Sequence, residues 1–165
     1  MLKTGIATVS LLALALAGCA TAGSPATPPP SSAVDAFVRA MENLDTEAMG
    51  AVFAEDATVF MPFEEVPRRL VGRDEIRSVF GRFFEGARKP GALPPYMKLN
   101  PVDVQTQQFG DTAIVTFHLG RVPDATATGP SSFSRRTFVM QRQGDRWVVR
   151  HLHASNMRLE PRKPE

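Results

Sequence analysis

The sequence predicts an α+β fold in which helices cover one face of an antiparallel sheet. Apolar residues recur at helical spacing in the first half of the mature region and at a period of two from residue 97 onward. The order is helices first and strands afterwards, without the alternating αβ units that a parallel sheet requires. At 165 residues, 43% apolar and 22% charged, the chain is large enough for one domain and too small for two.

Two segments precede that domain. Met1 to Thr4 carry a single charge, Lys3, and Gly5 to Ala17 form an apolar run of thirteen residues. Thirteen residues cannot cross a hydrocarbon core of ~30 Å, so the run reads as a secretory signal over residues 1–18. It ends Leu16-Ala17-Gly18-Cys19, and Cys19 is the one cysteine of the chain. That ending resembles the lipobox of bacterial lipoproteins, which implies lipid attachment at Cys19 and a protein exported to the cell envelope. Ala20, where inner-membrane lipoproteins carry aspartate, favours the outer membrane if the source is Gram-negative. A plain signal peptide cut after Ala17 is the alternative. Residues 19–32 hold no charge and no large apolar group after the cysteine, and are expected to be an extended tether.

The domain is expected over 33–158, with a charged tail at 159–165. Val34, Phe37, Val38, Met41 and Leu44 mark a first helix, with Ser31 or Ser32 as cap. Asp45 caps a second, short helix carrying Met49, Val52 and Phe53. Ala57 to Met61 read as a strand, followed by a Pro-bearing loop through Pro67. Ile76, Val79, Phe80, Phe83 and Phe84 form the apolar stripe of a third helix ending near Gly86. Strands are expected over 97–109, 112–121, 132–142 and 146–157, with Pro101 marking an edge or bulge. Gly110-Asp111 and Gln143-Gly144-Asp145 are the hairpin turns.

Charge excludes little except a nucleic-acid site. Removing the signal takes Lys3 from the 19 basic side chains, leaving 18 against 17 acidic. Arg73, Arg77, Arg82 and Arg88 share one helix with Asp74, Glu75 and Glu85 among them, the pattern of a solvated face rather than a basic stripe.

The run DRWVVRHLHAS, Asp145 to Ser155, resembles the last strand of SnoaL-like proteins in the nuclear-transport-factor-2-like superfamily. It is especially similar to the association domain of calcium/calmodulin-dependent protein kinase II. LVGRDEIRSVF, Leu70 to Phe80, resembles the opening of that family's third helix, and GDTAIVTFHL, Gly110 to Leu119, its central strand. The resemblance implies a curved sheet wrapped on the helices as a cone open at one end, commonly in a homodimer. It also implies that Arg150, Leu152 and Ala154 line the cone, with Ile114, Thr116 and His118 beside them. The kinase domain's cavity arginines fall on Gly120, Phe138 and Ala154, so its basic cluster is not reproduced. Steroid-isomerase relatives use an aspartate base and a tyrosine. Here the single tyrosine, Tyr96, lies in a Pro-rich loop and no carboxylate matches.

The candidate ligand-binding residues are therefore Thr116, His118, Arg136, Arg150 and Leu152, with His118 the candidate proton carrier because imidazole titrates near neutrality. Arg136 faces with Arg150 or with His153 according to whether the 143–145 hairpin holds two or three loop residues. His151 and His153 lie two apart on one strand face but lack a third ligand, so no metal and no cofactor is expected. They are assigned, with Trp147 and Ser155, to the sheet or a dimer contact. Three functions remain open: binding of a small apolar or carboxylate-bearing molecule, isomerase, dehydratase or hydrolase chemistry through His118, and assembly without a ligand.

Overall fold

The computed structural model describes residues 28–62, 68–122 and 132–157. Helix α1 spans Ser32–Asn43 and α2 spans Thr46–Val52. Leu44 adopts a left-handed conformation that ends α1, and Asp45 Oδ1 accepts a hydrogen bond from Ala48 N–H at 2.9 Å to start α2. Strand β1, Phe53–Phe60, follows without a loop, four residues earlier than the sequence predicts. The helical pair Val52 and Phe53 hides this boundary, because both side chains are buried in either conformation. The short strand β2, Leu70–Val71, was not expected. It pairs antiparallel with β1, beyond the loop expected through Pro67 and at the start of the run assigned to the opening of the third helix. Helix α3, Arg73–Ala87, buries the expected stripe of Ile76, Val79, Phe80 and Phe84, with Phe83 half-buried.

The remaining strands are β3, Lys98–Phe109, β4, Thr112–Val122, β5, Ser132–Gln143, and β6, Arg146–Asn156. They form the expected meander, and the sheet order is β2-β1-β6-β5-β4-β3. One pair departs from an all-antiparallel sheet: β1 returns alongside β6 in parallel. Pro101 sits on the edge strand β3, next to an irregularity between Val102 and Gln105 where Asp103 takes a φ of 53°. The sheet is curved and does not close.

The concave face holds the core. Val115 lies opposite Phe138, and Phe138 opposite Leu152. The Phe138 ring meets Phe37 of α1 edge-on at 5.3 Å and Phe117 at 5.0 Å. Phe80 of α3 packs edge-on against Phe37 and stacks near Phe53. Three aromatic layers thus tie α1 and α3 to the sheet.

The expected signal, the lipid-attachment residue Cys19 and the tail at 159–165 lie outside the described residues. At its near end the expected tether is docked: Pro30 is buried, and Trp147 Nε1–H donates to the Pro28 carbonyl at 3.0 Å.

A cleft at the mouth of the curved sheet

At the end of the sheet where β4 and β6 finish and β5 begins, the helices do not fill the concave face. The cleft left there measures about 210 Å³. Met41, Phe83, Met97, Leu99, Leu119, Phe133 and Pro62 supply apolar walls, and Arg121, Ser132, Ser134, Arg136 and Asn156 supply polar groups. Two of these have committed donors: Ser134 Oγ–H reaches the Leu119 carbonyl at 3.4 Å, and Asn156 Nδ2–H reaches the Pro62 carbonyl at 3.1 Å.

Arg136 is the exception. It enters from the middle of β5, flanked by Phe117 on one neighbouring strand and Ala154 on the other. The small Ala154 leaves room for the guanidinium. Only 9% of the residue is exposed, and Nε has neither solvent nor a hydrogen-bond partner. No carboxylate among the described residues forms an ion pair with it. Burial alone pushes its pKa down to about 10, so it remains a cation at neutral pH. A buried, unpaired charge costs several kcal/mol, and an anion set against it would offset that cost.

The other predicted site residues distribute differently. Leu152 faces the concave side but is sealed in the core behind the cleft. Thr116 and His118 face outward, contrary to expectation. On β4 the buried residues are Ala113, Val115, Phe117 and Leu119, so the even-numbered residues between them take the convex face. A parity carried over one residue out of step reverses every side chain of a strand. His118 Nδ1 stands 3.7 Å from Asp103 at the β3 irregularity.

Arg150 also misses the cleft. Met140 pairs with Val149 but Val139 pairs with His151, so Arg150 is the extra residue of a bulge. It forms an ion pair with Asp56 at 2.6 Å on the solvent side. The 143–145 hairpin has two loop residues, with Gln143 opposite Arg146 and Gly144 at a φ of 63°. With that register Arg136 lies opposite Ala154, on the face away from His153.

His151 and His153 share the convex face. His151 Nδ1 and Thr58 Oγ1 share a hydrogen bond at 2.8 Å, joining β6 to β1. Burial, then the positive charges of His153 and Arg69, lower the His151 pKa. The exposed Phe60 ring lies 6.0 Å from His151 and 5.9 Å from His153. Trp147 is buried near the start of β6, and Ser155 is half-buried near its end. Sequence reasoning missed the donor economy of Ser134 and Asn156 altogether; neither residue type is unusual in a strand, and only their neighbours give them meaning.

The chemistry available in the cleft is narrow. Its described lining contains no Asp, Glu, His, Lys, Tyr or Cys, and hence no group that moves a proton near neutral pH. That lining offers two arginines, Arg121 at the rim and the buried Arg136, with the oxygens of Ser132, Ser134 and Asn156 and an apolar wall. The volume is below the ~300–1,000 Å³ of drug-sized sites and holds the equivalent of about seven waters.

Comparison with solved structures places this geometry among known folds. A protein proposed as a calcium/calmodulin-dependent protein kinase type II association domain, from Thiobacillus denitrificans, superposes with a TM-score of 0.66. It is 24% identical, over 82% of this chain and 100% of that one. A proposed dehydratase of the NTF2-like family from Streptomyces avermitilis gives 0.62 at 23% identity, over 78% and 94%. A proposed ketosteroid isomerase from Shewanella frigidimarina gives 0.58 at 17% identity, over 76% and 94%. At these identities the likeness is one of fold. Among curated proteins, none matches the chain. The SnoaL-like domain model matches residues 31–159, which is the whole described domain from the start of α1 to the end of β6, and the chain therefore belongs to the SnoaL-like family.

Proposed function

We propose that this protein is a cell-envelope lipoprotein whose SnoaL-like domain binds a small molecule with an apolar body and a carboxylate or similar anionic head. It binds this ligand without transforming it. The observation that carries the reading is Arg136: a buried guanidinium with no partner among the described residues, at the inner end of an apolar cleft. A carboxylate would accept its donors in a charge-assisted pair, and the thioether and aromatic walls would cover the rest of the molecule.

Binding is preferred to catalysis because the described lining has no general acid or base, and because His118 points away from the cleft. The lipobox ending at Cys19 supports anchoring in the envelope, and Ala20 supports the outer membrane of a Gram-negative cell. A homodimer through the convex face fits the exposed Phe60 and His153 there.

Native mass spectrometry of the exported chain, purified gently from cells, tests the reading. The expected result is a reproducible added mass of an organic acid that is lost in Arg136→Met. An added mass unchanged in that variant, or a neutral or cationic ligand, contradicts it.

A further inference from the structure

The cleft and the N-terminal connection lie at opposite ends of the sheet. The mouth is framed by Arg121, Ser132 and Asn156, which end β4, begin β5 and end β6. Trp147 begins β6, and its indole holds the Pro28 carbonyl at the other pole, beside the two hairpin turns. Helix α1 runs from that pole toward the mouth, where Glu42 accepts from the Tyr96 and Leu99 backbone N–H groups at 2.7 and 2.9 Å.

Chain geometry then limits how the domain can stand. Nine residue steps separate Cys19 from Pro28, and whatever their conformation they reach at most about 31 Å. Nine steps also separate Trp147 from Asn156 along β6, a height of about 30 Å. A mouth turned toward the bilayer would require the tether to run back along the entire domain and leave nothing over for the lipid to enter the membrane.

We infer that the tether, fixed at Pro28 by Trp147, presents the cleft away from the bilayer, so that the domain takes its ligand from the aqueous side of the envelope rather than from the lipid leaflet. The inference rests on the anchoring at Cys19 proposed above. The docked Pro28 matters to it. Released to Ser32, the tether would gain four residues and about 13 Å, enough for the mouth to reach the surface.

The test is energy transfer from a donor dye on the full lipidated chain, reconstituted in phosphatidylcholine vesicles that carry an acceptor dye on their headgroups. Acylation blocks Cys19, so a single new thiol takes the donor. Lys98→Cys places it at the mouth and Gln143→Cys at the opposite hairpin; both positions are exposed and neither touches the cleft. Transfer from position 143 should exceed that from position 98 several-fold, and a Gly/Ser insertion after Ser24 that doubles the tether should reduce the difference. Equal transfer, or stronger transfer from position 98, overturns the inference. Absence of transfer at both positions means that the chain is not anchored, and overturns the anchoring reading with it.

Discussion

The two faces of the sheet treat charge in opposite ways. On the convex face three cationic or titratable groups meet a partner: Arg150 meets Asp56, His118 meets Asp103, and His151 meets Thr58. These groups stand in or near water, where an ion pair is worth little and its absence costs little. On the concave face Arg136 is largely buried, its Nε lacks both solvent and a hydrogen bond, and no described residue pairs with it. Residue type does not distinguish the two faces; partnership in a dry place does. A histidine-rich strand drew attention to the convex side, yet the energetic tension is on the other side, where a ligand would relieve it.

Changes on the concave wall should have the largest effects. Phe138→Ala removes the ring that joins Phe37 and Phe117, and should cost about 3–5 kcal/mol in urea unfolding. A cost below about 1 kcal/mol would mean that the helices are not seated on the sheet as described. Trp147→Phe keeps most of the packing and loses the hydrogen bond to Pro28. A loss of about 1 kcal/mol is expected, with faster proteolysis ahead of Ser32.

The convex face should respond to pH more than to truncation. The pKa of His151 is lower in the folded chain than its unfolded value near 6.5. Stability should be fully present above that value and fall as acid protonates the unfolded chain first. His151→Gln should flatten this loss when melting is followed from pH 7.5 down to pH 5. A steeper loss in the variant would assign the acid sensitivity to another group. The smallest effects belong to Arg150→Ala and His118→Ala. The former removes an ion pair that is largely exposed and should cost less than about 1 kcal/mol. Neither should change ligand binding, and a loss of binding in His118→Ala would move the site to the convex face.

Much of the fold is legible in the residues. The stripe from Ile76 to Phe84 has one helical reading, and the alternation after residue 97 has one strand reading. The cap at Asp45 and the turns at Gly110 and Gly144 are equally local signals. What is hidden depends on pairing between distant strands. The bulge at Arg150 lies in the pairing of β6 with β5, beside a second irregularity where β1 meets β6, and nothing in VVRHLH announces it. The facing of His118 turns on a single step of register. β2 is two residues long and has meaning only against β1. Arg136 was visible as a candidate, but its isolation was not, since an absent partner is a property of the whole cleft.

Thermal unfolding of the native chain and Arg136→Met, each with and without hexanoate, tests the central claim most directly. Without ligand the variant should be the more stable by about 1–3 kcal/mol, because an apolar side chain replaces a buried, unpaired charge. Saturating hexanoate should raise the melting temperature of the native chain and leave the variant unmoved. A variant that melts below the native chain without ligand, or that gains as much from hexanoate, would contradict the assignment of Arg136 as an anion-binding group.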